Sequence, residues 1–494
     1  MGMIDLSSAL GLSALGIYIH AIAIAVSIGG GTALVVFEFL GIRFKEDEYI
    51  RVAKLLSRVI VVVFAFGAAT GTLVEFGLVQ LWNGIILAIS SIAFIPLYME
   101  LLAFIIEGGL VIALLYTWDK FRNPWIHWLI SLAYLIGALL SGALIMLVNS
   151  WLQVPWGTGD LIKSIYPWAP VYGPNVFNEE FLLEIKDIFL KSILVGSTGA
   201  SYVNPEIFSG LVEKYGPLVM DPWIAFYNPY AIISVVHQLV ATMTVGVSWV
   251  LAGISYKMLR SGGEKYSKAF KVVSILAGSL LILQGLNGHI MGENVLLYQP
   301  TKFAMIEGLV ESGPSPLVGL TVYQDPGHIF MGFDKLIEMA ENHPNPDVTL
   351  GGISLREIAI RDTQIALSKL RLVYPLYTIK ISLAIIGGLV SLLFIFQSIV
   401  LRRLRISDKI IYYLGLLFGF LTPTISALGW AVREIGRKPW TVYGLLYPEE
   451  LISPLTLPTY TLVILVLTLI VILIIMVYSV YVVLTRPPKI LSTG

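Results

Sequence analysis

An α-helix needs roughly twenty consecutive apolar residues to cross a lipid bilayer, and this chain supplies such runs nine times. They cover roughly 13–40, 53–80, 92–117, 125–150, 230–256, 267–290, 373–401, 410–433 and 460–484 on a sliding hydropathy reading. The 494 residues are 57% hydrophobic and only 13% charged, with mean hydropathy +0.83. That is more apolar surface than a water-soluble domain can hide, so the expectation is an all-α polytopic membrane protein forming a single membrane domain over 1–494. The N-terminal stretch lacks a basic n-region and a small-residue cleavage site, and reads as the approach to the first span. Pro423 lies inside the eighth run, where it should kink the helix.

The short loops carry the orientation signal. Arg43, Lys45, Arg51 and Lys54 fall between runs one and two, and Lys120 and Arg122 between three and four. Lys257, Arg260, Lys265, Lys268 and Lys271 join five and six; Arg402, Arg403, Arg405 and Lys409 join seven and eight. In a nine-span arrangement all four loops share one face, which positive-inside bias makes cytoplasmic. The N-terminus is then outside and the C-terminus inside. Two long polar segments, 151–229 and 291–372, face outward as loops, and neither is patterned as a separate domain. Within the second, 353–371 reads as a surface helix.

Ionisable side chains inside hydrocarbon are costly and mark candidate functional positions. His20 and His237 lie in the first and fifth runs, each ~10 Å below the outer end at 1.5 Å per residue. Glu75, Glu100, Lys380 and Glu434 fall near the same level on four other spans, and Glu107 lies deeper. Neutral imidazoles with carboxylates at membrane depth suit metal or haem ligation, proton handling, or both; a lone histidine can equally be a packing residue. Ser141 on the fourth span is a candidate partner for Glu107. His127 reads as interfacial and structural, His289 as undecided, and His328 and His343 as solvated. With no cysteine there is no disulfide, thiolate cluster or covalent CxxCH haem, so any haem must be held non-covalently. A net charge of +0 leaves no basic surface for nucleic acid. "SIGGGTAL" and "GAATGTL" suit close helix packing or room for a flat cofactor, and lack the strand–turn–helix setting of a phosphate loop. Lys302 and Glu307, five residues apart, are either a surface ion pair or a quinol-binding pair.

The segments "GWAVREIGRKPWTVYGLL" (429–446), "QPTKFAMIEG" (299–308), "ALIMLVNSWLQVPWG", "ATGTLVEF" (69–76) and "AFIIEGGLVIALLYTWDKF" together resemble the haem-bearing subunit I of cytochrome bd-type quinol oxidases. The resemblance implies quinol and dioxygen as substrates, in the cytoplasmic membrane. It implies a low-spin haem b, a high-spin haem b, and a haem d or further haem b. A second membrane subunit is the implied partner, with small single-span subunits as further candidates. By the same resemblance His237 is a ligand of the low-spin haem, His20 and Glu434 are ligands of the high-spin pair, and Glu100 joins the metal-site residues. Arg437, Lys380 and Trp440 form the haem-propionate environment, Lys302 and Glu307 bind quinol, and Glu107 with Ser141 lines a proton path. The chain departs from the family in three places. Lys380 stands where an arginine is usual, with Ser382 or Leu383 in place of the methionine ligand. Glu100 precedes Glu107 by seven residues where eight is usual. Gly288-His289 replaces a Gly-Asp. The competing expectation is a proton- or ion-coupled transporter without haem, using the same carboxylates as a relay.

Overall fold

The computed structural model describes residues 6–177, 223–261, 264–397, 407–452 and 459–485, with scattered positions between 179 and 214. Arg402, Arg403 and Arg405 of the last basic loop, and most of 178–222 in the first long segment, lie outside the described residues. Among the described residues nine helices are long and apolar enough to span a membrane, as the nine runs predicted. In chain order the principal helices are α1 (Leu6–Phe44), α2 (Asp47–Leu81), α3 (Asn83–Tyr116), α4 (Pro124–Gln153), α5 (Pro229–Ser261) and α6 (Ser267–Tyr298). They continue as α7 (Pro300–Glu307), α8 (Phe333–Glu341), α9 (Leu355–Ile395), α10 (Asp408–Ile435) and α11 (Thr459–Thr485). All but α7 and α8 are spans.

Local chemistry sets the helix starts. Asn123 accepts from the Trp125 amide with Pro124 in the first turn of α4, and Ser354 accepts from the Glu357 amide at the start of α9. α7 ends at Gly308, whose φ of 72° is left-handed, with its amide turned back to the Ala304 and Met305 carbonyls.

The helix expected over 353–371 is not a separate surface element. It begins at Leu355 and continues into the seventh span as one 41-residue helix with Pro375 inside it. Its first turns bury Leu355, Ile358, Ala359, Asp362, Thr363 and Ala366 and pack against α7 and α8. α6 likewise runs on to Tyr298, so residues 291–298 are helix and not loop.

α1 packs on α2, α5 and α4, and α5 on α6 and α10. The α1–α5 crossing is a backbone contact: a Cβ on Gly246 would stand 1.9 Å from the Ala25 carbonyl oxygen, and one on Gly29 would stand 2.5 Å from Gly246 Cα. Gly29 belongs to "SIGGGTAL", so the packing expectation for that motif holds.

Above the spans, parts of both long segments and the chain after α10 share one core with the end of α9. Trp440 is fully buried against Tyr166, Trp168 and Tyr443. Its indole N–H donates to Tyr166 Oη at 3.0 Å, and that hydroxyl donates to Asp362 at 2.6 Å. Lys186 and Glu450 form a buried pair at 3.2 Å. His343, expected to be solvated, is instead buried; its Nδ1 accepts from the Asn345 amide, while Nε2 has no partner among the described residues. Gly246→Ala should lower stability by about 1–3 kcal/mol through forced separation of α1 and α5. Thermal unfolding in detergent checks this, and an unchanged midpoint would contradict the close crossing.

Candidate functional site

His20 on α1 faces α2, where Thr70 Oγ1 lies 3.1 Å from its Nδ1. A Cβ at residue 71 would stand 2.9 Å from His20 Cε1 and 3.4 Å from Nε2, so Gly71 keeps that ring edge uncrowded. Both residues lie in "ATGTLVEF". His237 on α5 faces α6: Asn287 Oδ1 lies 2.9 Å from Nδ1 and Gln284 Nε2 lies 3.1 Å from Nε2. A second-residue bond to one ring nitrogen is the usual way a metal-ligating histidine is oriented; at His237 both nitrogens are held by side chains of α6.

Glu434 ends α10. Arg437 Nη2 donates to its Oε2 at 2.5 Å, while Oε1 is buried without a partner. Arg437 is itself buried, and its Nε and Nη1 make no hydrogen bond among the described residues. Arg433 is spoken for, donating to Asn149 Oδ1 at 2.8 Å and Ser234 Oγ at 3.0 Å. Lys380 lies 5.5 Å from the Tyr377 ring centroid, and a Cβ at Gly429 would come 3.5 Å from its Cε. This corner gathers several cations around one carboxylate, and two guanidinium N–H groups await an anion. A porphyrin with carboxylate arms meets that need, and His20, His237 and Glu434 offer donors suited to haem iron. The donor set fits haem. Among the described residues no three His, Cys, Asp or Glu side chains gather as ligands for a free metal ion.

Trp440 spends its only donor on Tyr166, so it shapes this corner by packing. Ser382 donates its hydroxyl to the Thr378 carbonyl at 2.8 Å, and Leu383 has no donor atom. Neither replaces the family's methionine.

Lys302 and Glu307 are each engaged elsewhere. Lys302 is buried, donating to Gln153 Oε1 at 3.1 Å, Gln299 Oε1 at 3.3 Å and the Arg433 carbonyl at 3.3 Å. A surface ion pair is therefore excluded, because all three acceptors are uncharged. Burial, then the nearby Arg433, push its ammonium well below the ordinary lysine range. Glu307 accepts from Ser315 Oγ at 2.7 Å, and burial raises its carboxyl above 4.5.

The pairing proposed between Glu107 and Ser141 is also corrected. Ser141 donates to Glu100 Oε1 at 3.0 Å, while Glu107 accepts from Ser27 Oγ on α1 at 3.5 Å. Ser141 lies two helical turns beyond Tyr134 on α4, which sets it opposite the earlier carboxylate. His127 is buried and pairs with Glu38 at 2.6 Å, where an interfacial side chain was expected. His289 pairs with Glu293 one turn on, at 3.1 Å. The sequence reading missed Thr70, Asn287, Gln284, Asn149, Glu38 and Ser27. A polar residue one helical neighbour from an intramembrane histidine or arginine would have been the signal.

The sequence model of the cytochrome bd terminal oxidase subunit I family matches residues 11–488. The chain belongs to that family. It is 23% identical over 454 residues to the cytochrome bd ubiquinol oxidase subunit 1 of Bacillus subtilis (strain 168), covering 88% of this chain and 83% of the relative. A second protein of that organism, described as a cytochrome bd menaquinol oxidase subunit I, is 22% identical over 446 residues, covering 88% and 86%. The fold is similar to the solved bd oxidase of Geobacillus thermodenitrificans, with TM-score 0.74 and 20% identity over 98% of this chain and 99% of that one. This membership makes the protein a terminal oxidase subunit of the cytoplasmic membrane, of haem-containing type, and sets the transporter reading aside.

The raised Glu307 carboxyl has a consequence for stability. Between 4.5 and its raised value the folded chain holds a proton that the unfolded chain has lost. Stability from this group is therefore full below 4.5 and falls as pH rises through the raised value. Glu307→Gln should remove that decline, read as thermal midpoint against pH; an unchanged slope would show that Glu307 is not the group.

Proposed function

We propose that this chain is the haem-bearing subunit of a terminal quinol oxidase, oxidising quinol at the outer membrane face and reducing dioxygen to water with protons from the cytoplasm. The naming of two relatives as ubiquinol and menaquinol oxidases supports the substrate class. The observation that carries the reading is the Glu434–Arg437 corner, with its unpartnered carboxylate oxygen and guanidinium N–H groups in reach of helices bearing His20 and His237. When bound, haem supplies one-electron transfer and the centre at which dioxygen is reduced.

His237 would hold the low-spin haem b. His20 and Glu434 would hold the high-spin pair, a haem b with a haem d or further haem b. Thr70 orients the His20 ring through Nδ1; His237 is held by Asn287 at Nδ1 and by Gln284 at Nε2, so Nε2 would meet iron only once the Gln284 amide turns away. Arg437 offers its free N–H groups to haem carboxylates, and Lys380 adds positive charge where the family has arginine. Trp440 seals this corner from water beneath the outer layer.

On the quinol side, Glu307 is the proton acceptor: its half-buried carboxyl, raised by burial, takes a proton more readily than a solvated glutamate. Lys302 fixes the start of α7 to the end of α10 through the Arg433 carbonyl, which ties the quinol segment to the haem corner. On the other side, Glu107 and the Ser141–Glu100 pair are polar positions from which protons reach the oxygen site through otherwise apolar helix. The basic loops at Arg43–Lys54 and Lys120–Arg122 support a cytoplasmic source for those protons. A subunit II-like membrane protein completes the complex, with room for small single-span subunits.

His237→Ala should abolish the low-spin b spectrum of the purified complex while the chain still folds; an unchanged spectrum would reject the assignment. Glu107→Gln should slow oxygen reduction on the order of tenfold or more with haem content intact. Full turnover in that variant would remove Glu107 from the proton route.

A further inference from the structure

Glu107 lies deep in the bundle, and a proton route from the basic loops must reach it through hydrocarbon. One face of α4 carries His127, Ser131, Tyr134 and Ser141, at intervals of four, three and seven residues, which align along a helix. Opposite it on α1, Ser27 and Glu38 are eleven residues apart, three turns and ~16 Å of rise. Here Gly31 makes room for the Tyr134 ring, since a Cβ would stand 3.2 Å from its Cε1.

The hydrogen bonds along this seam are continuous at each end. His127 Nε2 donates to the Leu114 carbonyl at 3.1 Å, which fixes a hydrogen on that nitrogen, because a carbonyl can only accept. His127 Nδ1 lies 2.6 Å from Glu38 Oε1, so a second hydrogen lies between them. The pair therefore holds one labile proton, on either imidazolium or carboxyl. Ser131 Oγ donates to Glu38 Oε2 at 2.6 Å. Deeper, at the level of Ser27 on α1, the Tyr134 hydroxyl bonds Ser27 Oγ, which donates to Glu107 Oε1 at 3.5 Å. The groups facing His127 from its other side place it near the surface. The Trp118 ring centroid is 3.9 Å from the imidazole centroid, and Lys54 lies 5.5 Å over that indole while pairing with exposed Asp119.

Resting on the proposed oxidase reading, we infer that the His127–Glu38–Ser131 cluster and the Tyr134–Ser27 pair form the feeder that delivers protons from the basic-loop end of the bundle to Glu107. A proton taken up at His127 passes to Glu38 and then crosses, through intervening water, to the Tyr134 hydroxyl at the level of Ser27, three turns of α1 from Glu38. The Tyr134 hydroxyl passes its own proton to Ser27 as it takes up the new one, and Ser27 does the same toward Glu107. No group gains or loses a net proton over a cycle, and the protons are consumed with electrons at dioxygen, four of each per two waters formed. Stability alone is a poor reason for the pair, since a buried ion pair is often no better than apolar residues of the same volume.

The test uses the purified complex carrying Glu38→Gln, Tyr134→Phe or Ser27→Ala, beside Glu107→Gln. Three quantities are read: haem content, haem reduction by quinol without oxygen, and turnover per haem with its solvent deuterium effect. A feeder predicts that Glu38→Gln and Tyr134→Phe cut turnover per haem on the order of tenfold or more and enlarge the deuterium effect, with haem content and anaerobic reduction unchanged. Glu38→Asp should restore part of the rate. If Glu38→Gln fails to assemble, Tyr134→Phe, of nearly equal volume, and Ser27→Ala, which removes one hydroxyl, decide the matter. Wild-type turnover per haem in the assembled variants, with Glu107→Gln slowed, would overturn the feeder alone. Wild-type turnover in Glu107→Gln as well would overturn the proton-route reading along with it.

Discussion

A charge in hydrocarbon has no water to turn to, and that constraint orders this molecule more than any single contact. Among the described residues, several ionisable groups on the spans are answered from a different helix: Glu38 by His127 and Ser131, Glu100 by Ser141, Glu107 by Ser27, and Arg433 by Asn149 and Ser234. The answer is incomplete at the end of α10, where Glu434 Oε1 and two Arg437 nitrogens are buried without partners among the described residues. Leaving such groups unpaired costs several kcal/mol in an apolar setting, so this corner is built for something the polypeptide does not itself supply.

The two ends of the bundle divide the work between them. One end holds His20, His237 and the Glu434–Arg437 corner, under a layer in which Trp440, Tyr166 and Tyr443 exclude water and Lys302 ties α7 to α10. The other holds the Glu38–His127 pair close to the basic loops. Between them, α1 and α5 cross at backbone contact through Gly29 and Gly246, so the helices bearing both histidines are held in one rigid frame. A frame of that kind suits redox centres, whose transfer rates depend on fixed separation, and it leaves proton movement to side chains.

Much of this was legible in the sequence, because apolar run length fixes a span and residue number fixes depth along it. The nine spans were readable on those grounds, and the packing role of the glycine motif and the family itself from short sequence segments. Depth also separates Ser141 from Glu107: Gly137 stands against Glu107, and Ser141, one turn further along α4, meets Glu100. What the sequence did not carry is azimuth. Lys302 and Glu307 are close in number, yet α7 turns the first inward to uncharged acceptors and the second to Ser315. The helix beginning at Leu355 was divided because its early turns bury their apolar face against soluble-like elements, giving a mixed pattern that continues into a purely apolar one. Glu38 escaped notice because it lies near the end of an apolar run, five residues before the basic Arg43, while its neighbour in space is a histidine on α4.

The claim on which the whole account stands is that this chain encloses iron porphyrins, held non-covalently because it has no cysteine. A pyridine haemochrome spectrum of the purified, folded protein, taken before and after acid–acetone extraction, tests that directly. The account predicts b-type haem in more than one copy per chain, removed by the extraction. A colourless protein, folded and produced with ample porphyrin, would contradict it.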